Sequence, residues 1–126
     1  MSTQKYVLIV DDDARNRKLV ETLLRAAGHE VRCAGSGADA LAAVAAAAPE
    51  LILLDLMMPG MDGFEVARRL KADPSARNIP IVMVTALDDA SSRARLAAAG
   101  VSQVLVKPVD RWALNACMDK LLGTSP

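Results

Sequence analysis

Leu51-Ile52-Leu53-Leu54-Asp55-Leu56-Met57-Met58-Pro59-Gly60 is the stretch on which the fold turns. A short, continuous aliphatic run closes on an aspartate and then on a Pro-Gly turn signal. Such a run suits a strand buried on both faces, the kind found where helices cover both sides of a parallel sheet. Working outward, four further runs have the same character: Tyr6–Val10, Glu30–Ala34, Ile79–Val84 and Val101–Val106. With Leu51–Leu54 they make five candidate strands, each bounded by Gly, Pro, Asp or Asn.

Helical patterns fill the intervals. Leu19, Leu23 and Ala27 alternate with Val20 and Leu24 at a spacing of four. Leu41, Val44, Ala45 and Ala48 repeat at i, i+3, i+4 and i+7, as do Gly63, Val66, Ala67 and Leu70. Caps agree with these limits. Ser36 and Asp39 form an S-x-x-D start, Asp88 and Asp110 are N-caps for the fourth and fifth helices, and Gly28 and Gly100 stand where helices stop in a left-handed residue. Strand and helix thus alternate five times, through crossovers long enough for parallel pairing. The pattern predicts an α/β chain: a single flavodoxin-like, doubly wound (βα)5 domain with a parallel five-stranded sheet in order 2-1-3-4-5. The domain is expected over residues 1–122, with 123–126 a flexible tail or the start of a linker.

Composition narrows the function. The 126 residues carry 15 Lys+Arg against 15 Asp+Glu, and Tyr6, Phe64 and Trp112 are the three aromatics. Balanced charge removes the broad attraction that non-specific nucleic-acid or anionic-membrane binding needs. So few rings leave little for bases to stack on. No apolar run reaches the ~18 residues of a membrane span, and the N-terminus lacks a secretory pattern, so a cytoplasmic chain is expected. Cys33 and Cys117 have no metal-site spacing and read as two small core residues, and His29 as part of a surface turn. One histidine leaves most triad and zinc sites without a member.

In open α/β sheets ligands sit beyond the carboxyl ends of the strands, where the strand order reverses. The residues there are Asp11, Asp12 and Asp13 after the first strand, Asp55 after the third, Thr85 after the fourth and Lys107 after the fifth. Each has an ordinary reading alone: helix cap, turn residue, strand-end threonine, solvated lysine. Their joint placement at successive strand ends is what those readings leave unexplained. Converging carboxylates repel unless a cation joins them. A hard oxygen-seeking ion such as Mg2+ answers that need, Lys107 and Thr85 suit phosphate oxygens, and Asp55 beside such an ion is a competent phosphoryl acceptor.

These residues resemble the receiver domain of two-component response regulators, of which the chemotaxis regulators are one kind. The likeness runs through Val7-Leu8-Ile9-Val10-Asp11-Asp12-Asp13, the stretch from Leu51 to Gly63, Val84-Thr85-Ala86 and Val106-Lys107-Pro108. It implies that Asp55 is the phosphoacceptor, with Thr85 and Lys107 binding the phosphoryl oxygens. It further implies a Mg2+ site formed by Asp12 directly, Asp11 through water, Asp55 and the Met57 carbonyl, with Asp13 left as a helix cap. A cis Lys107-Pro108 bond is implied as well. The implied donor is a phosphohistidine on a sensor histidine kinase or phosphotransfer protein. The implied output is a change in the face made by the fourth helix, fifth strand and fifth helix, read by a downstream domain or protein. Such a module catalyses its own phosphorylation and slow dephosphorylation without being an enzyme in the ordinary sense. A small Mg2+ phosphatase would want a second acid at position 57, and a pseudo-receiver scaffold would not keep Asp12, Asp55, Thr85 and Lys107 together.

Several positions depart from the family pattern. Val104 stands where relatives keep a switch Tyr or Phe, and Ser102-Gln103 and Ala113 stand where the winged-helix branch keeps acids for its dimer; a homodimer of another kind stays open. Trp112 reads either as a ring lying flat over the Lys107-Pro108 exit or as a contact for an output partner. Leu87 and Met57, two residues beyond Thr85 and Asp55, cannot orient water by hydrogen bonding, which predicts slow loss of phosphate. Leu87→Glu is expected to shorten the half-life of the acyl phosphate; an unchanged half-life in a timed mass-spectrometric decay would overturn this.

Overall fold

The computed structural model describes residues 5–86 and 90–123. Five strands alternate with five helices: β1 (Val7–Val10), α1 (Ala14–Ala26), β2 (Val31–Ala34), α2 (Gly37–Ala46), β3 (Leu51–Asp55), α3 (Gly63–Ala72), β4 (Ile81–Thr85), α4 (Ala90–Ala98), β5 (Gln103–Val106) and α5 (Arg111–Leu122). All pairs are parallel, in the order β2-β1-β3-β4-β5, as the alternating pattern predicts.

Every residue of β1, β3 and β4 is buried. Because side chains alternate along a strand, such strands feed two cores at once. Leu8, Val10, Ile52, Leu54 and Met83 pack on one face against Val44 of α2, Val66 and Leu70 of α3 and Leu96 of α4. Val7, Ile9, Leu53, Val82 and Val84 pack on the other against Val20 and Leu24 of α1 and Leu114 and Cys117 of α5. Each such aliphatic side chain contributes roughly 2 kcal/mol by leaving water. Tyr6, just before β1, is buried; its hydroxyl donates to the Ala47 carbonyl at the end of α2, and the Arg32 guanidinium lies 4.2 Å from its ring centre.

The helices start where side chains can take their free N–H groups. Asp13, Ser36, Asp62 and Asp110 cap α1, α2, α3 and α5, the second through the predicted bond from Asp39 N to Ser36 Oγ at 3.1 Å. Gly28 and Gly100 end α1 and α4 at φ of 94° and 86°, as expected of glycine stops. The N-cap expected at Asp88 lies outside the described residues.

Four expectations need correction. Tyr6, Glu30, Ile79, Pro80, Val101 and Ser102 fall outside the strands, whereas Asp55 and Thr85 are their last residues. In α1 the buried stripe is Val20 and Leu24, and Leu19 is 47% exposed. In α2 the buried stripe is Gly37, Ala40 and Val44; Ala45 and Ala48 face solvent, and the helix stops at Ala46 before the run reaches Pro49. Cys117 is a core residue, but Cys33 is exposed, because β2 is an edge strand whose central residues Arg32 and Cys33 lie uncovered. His29 sits in the turn after α1.

Gly63 is the tightest point between helix and sheet. Its N–H donates to the Leu56 carbonyl at 2.9 Å. An added Cβ would stand 2.8 Å from both the Asp55 carbonyl oxygen and Met83 Sδ, and 2.9 Å from Leu56 Cα. Gly63→Ala is therefore expected to cost about 1–3 kcal/mol through overpacking. Urea unfolding measures this directly; a midpoint equal to wild type would show that α3 can retreat from β3 without penalty.

Candidate functional site

Sheet order decides which loops meet. β1 and β3 are neighbours in the sheet while their following helices lie on opposite faces, so a crevice opens beyond their carboxyl ends. Backbone bonds fix the rims: Asp11 N donates to Ala34 O at 3.1 Å, Leu56 N to Val84 O at 3.1 Å and Lys107 N to Thr85 O at 2.8 Å.

Asp11, Asp12 and Asp55 converge there, each offering a carboxylate oxygen, with these oxygens all within 4.8 Å of one another. Asp11 and Asp55 are buried and Asp12 is exposed. Lys107 reaches across from the end of β5, its Nζ 3.0 Å from Asp55 Oδ1 and 3.8 Å from Asp11 Oδ2. Thr85 closes β4 with 1% of its surface exposed. The Lys107–Pro108 peptide is cis, as the resemblance implies. Asp13 turns away: its carboxylate accepts from Arg15 N at 2.9 Å as the α1 cap, and its own N–H donates to Asp11 Oδ1 at 2.8 Å. Met57 is 67% exposed two residues beyond Asp55.

Burial pushes the Asp11 carboxyl above its ordinary pKa. The Asp13 N–H pulls it back, the Asp55 carboxylate adds to the rise, and Lys107 and then Asp12 act more weakly, in opposite senses. Three carboxylates against one ammonium leave two negative charges uncompensated within the cluster. The donor atoms are all oxygens, part of the set is buried, and the excess charge equals that of one divalent ion. These properties fit Mg2+.

The remaining residues singled out from sequence fall elsewhere or differ. Leu87 lies outside the described residues. Val104 is half-buried against the core on one face of the sheet. Trp112 is 75% exposed in the first turn of α5, with the Arg111 guanidinium 5.0 Å from its ring centre, so it does not lie flat over the strand exit. Spacing alone missed the apolar shelf beside the crevice: a cavity of about 250 Å³ bordered by Asp11, Lys107, Leu19, Pro108 and Val109. Leu19 stands outside the buried stripe of α1, and that offset was the available signal.

Known proteins share this sequence pattern and fold. The response regulator PleD of Caulobacter vibrioides is 49% identical over 110 residues, which cover 87% of this chain and 24% of PleD. The DNA-binding response regulator MtrA of Mycolicibacterium paratuberculosis is 40% identical over 105 residues, 83% of this chain and 45% of MtrA. The chain thus spans a quarter to a half of the length of these curated relatives. Among solved structures, the chemotaxis protein CheY4 of Vibrio cholerae matches with a TM-score of 0.89 at 31% identity, over 94% of this chain and 99% of that one. The receiver domain of a Pseudomonas aeruginosa sensor histidine kinase, solved with magnesium in its active site cleft, matches with a TM-score of 0.87 at 27% identity, over 97% and 100% of the two chains. The response regulator receiver domain model matches residues 7–119, and with the fold and relatives above it establishes that this chain belongs to the receiver domain family of two-component signalling.

Proposed function

We propose that this receiver accepts a phosphoryl group on Asp55 from a phosphohistidine donor, in a Mg2+-dependent reaction. The observation that carries the reading is the Lys107 ammonium 3.0 Å from a buried Asp55 that shares its crevice with Asp11 and Asp12. Asp12, Asp11 through water, Asp55 and the Met57 carbonyl would hold the ion. Mg2+, when bound, offsets carboxylate repulsion and the charge on the phosphoryl oxygens. An Asp55 carboxylate oxygen attacks phosphorus; the phosphorus–nitrogen bond breaks as the oxygen–phosphorus bond forms, and the donor histidine nitrogen leaves with the electron pair. Lys107 binds a phosphoryl oxygen from the β5 side and the Thr85 hydroxyl donates to another. The apolar shelf of Leu19, Pro108 and Val109 beside the crevice suits a donor helix on a sensor histidine kinase or phosphotransfer protein.

Output would pass through α4, β5 and α5 to a domain or protein beyond this chain. Trp112, exposed with a guanidinium on its face, supports a partner contact on α5. The domain limits 1–122, a cytoplasmic location and the absence of direct nucleic-acid contact belong to the same proposal.

Incubation with Mg2+ and acetyl phosphate, followed by intact-mass measurement, tests the reaction. One phosphoryl adduct per chain is expected, absent in Asp55→Ala and absent when the metal is chelated. Donor turnover with no adduct would favour the phosphatase, and no reaction the scaffold. Trp112→Ala is expected to leave the adduct yield unchanged while weakening self-association or output binding about 30-fold, the effect of losing a contact worth about 2 kcal/mol. Sedimentation of the phosphorylated forms gives the first quantity and titration of the cognate output domain the second; equal affinities in both would remove Trp112 from the output face.

A further inference from the structure

Asp11 is held at three points in the crevice. Its N–H donates to the Ala34 carbonyl at 3.1 Å, and its Oδ1 accepts from Asp13 N at 2.8 Å. A third hold comes from Arg17, whose Nη1 donates to the Asp11 carbonyl oxygen at 2.7 Å. With both ends of its main chain and one carboxylate oxygen tied, Asp11 turns its other oxygen, Oδ2, to the Lys107 ammonium 3.8 Å away.

Arg17 lies one turn into α1, its own N–H donating to Asp13 O at 3.0 Å. Its partly buried side chain runs back over the ends of two strands. A Cβ built on Gly35 would stand 3.5 Å from Nη1, so the guanidinium passes directly over the exit of β2. Its charge also bears on the Cys33 thiol on that strand. Arg17 meets Asp11 through the main-chain carbonyl and passes over Gly35, and so ties α1 to the exits of β1 and β2 together.

We propose that Arg17 is a positioning residue for the metal site, acting through the Asp11 main chain and not on the ion. The inference rests on the Mg2+ reading of the crevice. It has a sign that a simple charge effect lacks. A guanidinium acting only as a nearby positive charge would repel a divalent cation, so removing it would tighten binding. A guanidinium that orients a ligand residue does the opposite when lost, and partners of this kind typically change metal affinity about 10–100-fold.

Calorimetric titration of the whole chain with Mg2+ tests this on wild type, Arg17→Met, Arg17→Lys and, as a charge control from the same helical turn, Arg15→Met. Arg17→Met is expected to raise the Mg2+ dissociation constant about tenfold. Its acetyl phosphate reaction should return to the wild-type rate at saturating Mg2+, a split that general loss of structure would not produce. Arg15→Met should stay within about twofold of wild type. The proposal falls if Arg17→Met binds Mg2+ as tightly as wild type or more tightly, or if Arg15→Met loses as much. Should the metal-free melting curve show Arg17→Met unfolded, Arg17→Lys decides: weakened binding upholds the proposal, and wild-type binding ends it. Wild-type chain without saturable Mg2+ binding would retire the metal reading and this inference together, whereas wild-type binding with unaltered variants retires this inference alone.

Discussion

Burial of β1, β3 and β4 on both faces is the constraint from which the rest of the molecule follows. A sheet whose central strands are apolar on both sides needs covering on both sides, and parallel connections supply helices to do it. Doubly wound topology places the reversal of strand order between β1 and β3, and that reversal opens the crevice. Asp11 and Asp55 stand at the ends of the two most completely buried strands, so their carboxylates inherit a low-dielectric floor along with their proximity. The interior that stabilises the fold is also what makes the acid cluster demanding to leave without a cation.

Much of this was legible in the chain. The runs read as Tyr6–Val10, Leu51–Leu54 and Ile79–Val84 announce β1, β3 and β4, though not their exact limits, because two-faced burial keeps such strands almost continuously apolar. The caps at Ser36 and Asp110 were legible because a side-chain acceptor three residues before its N–H donor is a local pattern. The convergence of Asp11, Asp12, Asp55 and Lys107 was legible because each follows or ends a strand, so topology alone gathers them.

What escaped depends on contacts between distant segments. Cys33 reads as a small apolar residue, yet its exposure follows from β2 lying at the sheet edge. An alanine-rich helix gives no preference between neighbouring stripes, so the face of α2 was set by packing at Gly37, Ala40 and Val44. Strand starts were misjudged where backbone bonds lie beyond the paired run; Ser102 N donates to Ile81 O at 2.8 Å although it precedes β5. Arg17 left no mark in spacing, because its partner is a main-chain carbonyl, which every residue possesses.

Val104 has a consequence for time as well as for shape. A β-branched side chain on a strand is held near one χ1 well, so it offers no second rotamer in which a state could be stored. A ring that flips between two pockets samples them on the fast clock of side-chain rotation. Under the proposed function, a chain with valine there, half-buried against the core, would register the condition of Asp55 through displacement of backbone segments, which belongs to the microsecond-to-millisecond range. Relaxation dispersion of amide groups is the spectroscopic window onto such motion, and side-chain order parameters would be blind to it.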